Sequence, residues 1–212
     1  MNPFNTASAS DGSQMFTTAL VIDNNDPQGK GRVKIQYPWD SDYNESYWAR
    51  VVTFMSGDDF GSCFLPEIDD EVLVAFLGGS IEHPIVIGSL WNKEHIPPYT
   101  NEDGENNVRI IKSRSGHELV FNDEENAQKV EIKHSDGHKI TLANGIKVES
   151  SGTMIELDKD SNITIESDSD VTIKSGKKIV IEGGMEISMK GSNITIEADA
   201  ILTLKGSIVN IN

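Results

Sequence analysis

From Ile163 to its last residues the chain repeats one short phrase: Ile-Thr-Ile, Val-Thr-Ile, Ile-Val-Ile, Ile-Ser-Met, Ile-Thr-Ile, Leu-Thr-Leu. The phrases open at Ile163, Val171, Ile179, Ile187, Ile194, Leu202 and Val209, so the steps between them are 8, 8, 8, 7, 8 and 7 residues. Within each phrase the apolar residues stand two apart, the period of a strand with one buried and one wet face. The wet face carries Thr164, Thr172, Val180, Ser188, Thr195 and Thr203, mostly β-favouring residues. Gly176, Gly183, Gly184, Gly191 and Gly206 fall between phrases, where the chain must turn. Each repeat is one strand and one corner, and such a repeat predicts a stack.

A period of eight holds one strand, whereas a single-chain β-solenoid needs several strands per coil. One chain cannot close a cross-section around its own apolar stripe. Three chains can, each supplying one side of a triangular prism. The predicted fold is therefore all-β, ending in an intertwined homotrimeric triple-stranded β-helix. Its axial core is Ile163, Ile165, Val171, Ile173, Ile179, Ile181, Ile187, Ile194 and Ile196. Three-chain closure also removes exposed strand edges. The alternative is a flat meander whose apolar face packs on another domain, but no helical layer is legible that could cover it.

Ahead of the repeats the organisation changes. Residues 1–15 are small and polar and read as a tail. Residues 16–92 read as a compact β domain with strands at Phe16–Asp23, Gly31–Tyr37, Tyr47–Val52, Glu71–Phe76 and Pro84–Ser89. Five short strands with long loops suit a small Greek-key barrel of the OB type. Residues 93–107 form a polar linker containing Pro97 and Pro98, and residues 108–212 form the predicted triple-stranded β-helix, irregular from Val108 to Asn144 and regular from Ile146. The net charge of −16 is uneven: residues 1–107 hold 17 Asp/Glu against 5 Lys/Arg, and residues 108–212 hold 17 against 13. An acidic first half repels phosphate and makes nucleic acid a poor partner. Cys63 is the single cysteine, so there is no intrachain disulfide framework; within Gly-Ser-Cys-Phe-Leu it reads as a small buried strand residue. The N-terminus shows no ordinary secretory signal, and no apolar run approaches membrane-spanning length.

The order of motifs in residues 17–92 is specific. Gly31-Arg32-Val33-Lys34-Ile35-Gln36-Tyr37-Pro38-Trp39 is followed by Tyr47-Trp48-Ala49-Arg50-Val51. Then come Gly61 to Ile68, Asp70 to Phe76, and His83-Pro84-Ile85-Val86-Ile87-Gly88-Ser89-Leu90-Trp91-Asn92. This series resembles the OB domain of contractile-injection spike proteins, the VgrG and phage baseplate protein V families. With the repeats behind it, the resemblance covers about nine tenths of the chain. It implies a structural central spike, a membrane-piercing needle with no enzymatic activity and no cofactor. The implied partners are two further copies of the chain, a hub protein on the OB side, a PAAR-type cap at the C-terminal tip and, transiently, the target envelope. Such a spike is assembled in the bacterial cytoplasm and delivered outward on contraction. Two departures are visible. A large hub domain precedes the barrel in most VgrG proteins, and here about 15 residues do, which resembles the phage layout or a truncated chain. Phage spikes often end in a metal-binding apex of close histidines, and no histidine follows His138. The residues Ile208, Val209, Asn210, Ile211 and Asn212 continue the repeat without a taper and are expected to form a platform for the cap.

Other constellations carry less. His134-Ser135-Asp136-Gly137-His138 reads as a turn between strands Val130–His134 and His138–Leu142, without the third ligand a metal site needs. Asp58-Asp59 and Asp69-Asp70-Glu71 read as a solvated loop and a strand-entry turn, since a glycosidase pair needs a concave, water-excluding cleft. Trp39, Trp48 and Trp91 lack the basic groove of a stacking platform and read as barrel core or interface packing. Two rival functions remain: a polysaccharide-acting β-solenoid enzyme, disfavoured by the short period, and an OB-type binding module with a trimerising stalk.

Overall fold

The computed structural model of the protein describes residues 15–39 and 46–211. The expected tail, apart from Met15, and Asn212 at the expected tip lie outside the described residues. The chain runs β1 (Phe16–Asp23), β2 (Arg32–Gln36), β3 (Ala49–Val51), β4 (Ser56–Gly57), β5 (Phe60–Gly61), β6 (Glu71–Phe76) and β7 (Pro84–Ser89). It continues as β8 (Val108–Lys112), β9 (Glu118–Asn122), β10 (Lys129–Lys133), β11 (Lys139–Leu142), β12 (Ile146–Ser150), β13 (Thr153–Leu157) and β14 (Ile163–Ser167). One short 3-10 turn, Leu77–Gly79, joins β6 to β7.

Strands β1, β2, β3, β7 and β6 close a barrel in that order. All its pairs are antiparallel except β3 with β7. Alternation dictates the interior. Val21, Val33, Ile35, Val72, Val74 and Val86 are fully buried, and Ala19, Ala49, Tyr37 and Phe76 complete the core. The residues between them, such as Arg32, Lys34 and Leu73, face outward. This closed five-stranded barrel is an OB fold, as the sequence predicts.

The connection between β1 and β2 is organised by one carboxylate. Asp26 accepts both Arg32 Nε (2.8 Å) and Nη2 (2.7 Å) and also the backbone N–H groups of Gln28 and Lys30 (3.0 Å each). Gly29 and Gly31 have φ of 63° and 64°, a conformation that glycine adopts without strain. The Arg32 guanidinium, acting first through these hydrogen bonds, holds the Asp26 carboxyl far below the usual carboxylate range against the opposing effect of burial.

Two expectations for this half are corrected. Cys63 is exposed, and it lies in no strand. After β3 the chain leaves the barrel as the two-residue-a-side hairpin β4–β5, and Cys63 follows its outgoing limb. Of the two readings for the tryptophans, barrel core fails: Trp39 and Trp91 are exposed, Trp48 is half-buried outside the core cluster, and Trp39 stacks on Tyr37 at 5.0 Å with an interplanar angle of 4°. Tyr37 itself is buried, and burial pushes its phenol up to about 12.

Residues 108–167 form a seven-stranded antiparallel sheet in which each strand pairs with its sequence neighbours, from β8 to β14. Within one chain this connectivity is a meander, and no described residue covers its apolar face. Turns at Gly116 (φ 89°) and Gly137 (φ 92°) reverse the chain between strands. Arg114, in the β8–β9 turn, bonds Glu67 beside the barrel (2.8 Å).

Candidate assembly surface

Cross-strand partners share a face, so the register assigns every residue of the sheet to one side. One column runs Ile111, Leu119, Ile132, Ile140, Val148, Ile155 and Ile165. The next runs Phe121, Val130, Leu142, Ile146, Leu157 and Ile163. These two columns make one continuous aliphatic face. Its large residues from Ile132 to Ile165 are 38 to 70 % exposed in the single chain. Soluble proteins rarely leave so large a contiguous apolar surface in water.

The opposite face is ionic. Lys112 bonds Glu118 (2.9 Å), and Lys133 lies 3.7 Å from the same glutamate. Glu131 sits between Lys129 (3.1 Å) and Lys133 (3.4 Å), and Glu149 between Lys139 (2.9 Å) and Lys147 (2.8 Å). Glu131 is 5 % exposed. Its burial opposes ionisation, but the two lysines outweigh burial and hold its pKa below the ordinary value. Lys112 does the same for Glu118, and Lys147 with Lys139 for Glu149. The strands are thus polar on one face and aliphatic on the other, the two-sided pattern that the repeat implies.

The predicted core residues Ile163 and Ile165 take their places on the aliphatic face, opposite Leu157 and Ile155. Val171, Ile173, Ile179, Ile181, Ile187, Ile194 and Ile196 lie beyond β14, outside any strand ladder among the described residues, and are exposed. Ile208, Val209 and Ile211 of the expected tip are exposed as well. Sequence reasoning missed the columns from Ile111 to Leu157. Their signal was present, since Ile140/Leu142, Ile146/Val148 and Ile155/Leu157 keep the same two-residue spacing.

The smaller constellations also find their places. His134 and His138 flank a turn whose strands are Lys129–Lys133 and Lys139–Leu142. His117 from the neighbouring turn joins them, its ring centroid 4.4 Å from that of His134. The Ser135 N–H donates to His117 Nδ1 (3.3 Å) and the Asp136 N–H to His134 Nδ1 (3.2 Å). Among the described residues no group of three or more His, Cys, Asp or Glu side chains is arranged to hold a metal ion. Asp58 and Asp59 form the tip of the β4–β5 hairpin, while Asp69, Asp70 and Glu71 lead into β6. No helix among the described residues is long and apolar enough to cross a membrane.

Comparison with known proteins agrees with this layout. Residues 17–91 match the family model for the type VI secretion system/phage-baseplate injector OB domain. The type VI secretion system spike protein VgrG1c of Pseudomonas aeruginosa PAO1 is 30 % identical over 150 residues, covering 57 % of this chain and 20 % of the relative. The spike protein VgrG3 of Vibrio cholerae serotype O1 is 30 % identical over 119 residues, covering 49 % of this chain and 12 % of the relative. The actin cross-linking toxin VgrG1 of a second Vibrio cholerae O1 strain is 36 % identical over 108 residues, 47 % of this chain and 10 % of that protein. The chain thus spans a fifth or less of the length of these curated relatives. The barrel, its motif order and these similarities show that residues 17–91 are an OB domain of the type VI secretion system/phage-baseplate injector family.

Proposed function

We propose that three copies of this chain assemble into the central spike of a contractile injection machine, with residues 16–92 as collar, 93–107 as linker and 108–212 as needle. The observation that carries this reading is the continuous aliphatic face from Ile111 to Ile165, backed by an ionic opposite face. Three such faces turned to a common axis bury one another and leave the lysine–glutamate ladder outside. Beyond β14 the repeat from Val171 to Ile196 continues the same alternation and supplies the rest of the axial core. The role is mechanical rather than enzymatic: interlocked strands resist bending because many backbone hydrogen bonds must break together.

The hub on the barrel side, a PAAR-type cap beside Ile208–Ile211 and outward delivery on contraction extend this reading, supported by the relatives named as spike proteins. Light scattering on the purified chain tests the central point: the expected mass is three times 23.3 kDa. A folded monomer at micromolar concentration overturns it.

A further inference from the structure

The first half of the chain is strongly acidic, yet the fold concentrates its few cations. Of the five Lys and Arg in residues 1–107, four are Lys30, Arg32, Lys34 and Arg50. All four gather around Trp48 on the wall formed by β2 and β3. The Arg32 guanidinium lies 5.8 Å and the Lys34 ammonium 5.5 Å from the indole centroid. Lys30, Arg32, Trp48 and Arg50 line a cleft of about 360 Å³, closed on its other side by Leu77, Glu82, His83 and Pro84. The sequence alone suggests that the barrel lacks a basic groove; the strand pairing builds a small one.

The groove is costly to the protomer. Arg32 and Arg50 are directly opposite each other across the β2–β3 pair, and like charges so placed are destabilising. Arg32 is matched by Asp26, but Arg50 and Lys30 have no ion pair among the described residues. The cleft therefore offers two cations without an ion pair beside an aromatic wall, against one lining carboxylate, Glu82, a setting for a further carboxylate.

The same chain carries a complementary feature elsewhere. The β4–β5 hairpin pairs with no barrel strand among the described residues, and its tip is Asp58-Asp59. Among the described residues neither aspartate forms an ion pair, and Asp59 holds a left-handed φ of 60°. The flanks of this arm are apolar and open: Phe54 is 95 % exposed, and Phe60 and Phe64 are exposed as well. An acidic knob on an apolar stem and a basic aromatic socket are different surfaces of one molecule. Contacts between unlike surfaces are heterologous, and they close into a ring when the rotation between copies is cyclic.

We propose that the Asp58–Asp59 arm of each copy inserts into the Lys30–Trp48–Arg50 cleft of the next, so that the barrels lock head-to-tail into a ring. This rests on the three-chain reading above and adds to it a contact in the barrel half, independent of the aliphatic face of the sheet. It also accounts for how barrels of like net charge come together: the acid of one copy meets the base of its neighbour.

Thiol-specific cross-linking tests it. In full-length protein carrying Cys63→Ser, the substitutions Asp59→Cys and Lys30→Cys are combined and treated with a short bismaleimide. Chains linked in twos and threes on a denaturing gel are expected, and neither single-cysteine variant should link. An intrachain product, or no interchain product while light scattering still gives a trimer, overturns the ring contact and leaves the three-chain reading standing. A monomer by light scattering overturns both. A second arm uses charge reversal without cysteines: Arg50→Glu should make the barrels of the trimer separately mobile by NMR or limited proteolysis, and adding Asp58→Arg should restore them. Failure of that restoration, or binding of a single-stranded oligonucleotide that Arg50→Glu abolishes without any arm–cleft cross-link, assigns the cleft elsewhere and overturns the proposal.

Discussion

Ile155 offers the sharpest test of the aliphatic face. It stands next to the end of one column, between Val148 and Ile165, and is 41 % exposed in the single chain. Fully burying an isoleucine side chain contributes about 1.5–3 kcal/mol. If assembly covers the two fifths that remain open, each copy gains about 0.6–1.2 kcal/mol at this position, and a trimer about 2–4 kcal/mol. Ile155→Ala removes that gain and should weaken assembly by roughly 30- to 700-fold, at about 1.4 kcal/mol per factor of ten. Glu156 is adjacent in sequence but on the opposite face, across from Lys147 and Thr164. Glu156→Ala should leave assembly within a factor of about two, as expected for an exposed site. Sedimentation of both variants over a dilution series in mild urea reads the difference directly. Equal weakening by the two substitutions, or no weakening by Ile155→Ala, would show that this face is not what the copies share.

Further predictions follow the same two-sided logic. Ile179→Asp should reduce trimer yield far more than Thr172→Asp, because three carboxylates then meet on a dry axis where unpaired charge is expensive; equal yields by light scattering would mean the faces are reversed. The pKa values of Glu118, Glu131 and Glu149 are lowered in the folded chain. Their contribution to stability is therefore complete above the ordinary glutamate value of about 4.3 and is lost as pH falls below it through the lowered folded values. Thermal melts should decline in that window, and Glu131→Gln should flatten the decline; an unchanged slope refutes the assignment. Asp26→Asn should lower the melting temperature and speed hydrogen exchange of the Gln28 and Lys30 amides, which donate to that carboxylate. Unchanged exchange there would show that Asp26 does not organise the loop.

Much of the barrel is legible because its strands follow simple alternation. Phe16–Asp23, Glu71–Phe76 and Pro84–Ser89 coincide with the predicted limits. The β4–β5 arm is not legible, since two residues a side are too few to show a period. Cys63 was misplaced for the same reason: Gly-Ser-Cys-Phe-Leu has strand-like residues but no barrel neighbour to pair with. Trp39 looks like core by residue type, but it lies past the end of β2 and stacks on Tyr37 from outside. The lysine–glutamate ladder could have been found by reading the polar positions between the apolar ones, as in Lys129, Glu131 and Lys133. The basic cleft could not, because Lys30, Arg32 and Arg50 meet through the pairing of β2 with β3 and not through proximity in sequence.

The two-faced register of the sheet also governs how such a chain can change length. Inserting one residue inside a strand turns every later residue of that strand to the opposite side, placing Lys147 where Val148 stood or Met154 where Ile155 stood. Inserting a complete strand with its corner leaves every existing side chain on its own face. Growth and shortening by whole rungs are therefore tolerated, and single-residue slips within a strand are not. The steps of 7 and 8 residues after Ile163 differ between phrases, while each phrase keeps its apolar residues two apart. Under the three-chain reading, a shaft built this way changes length in fixed increments, about 4.8 Å for each strand added to a ladder.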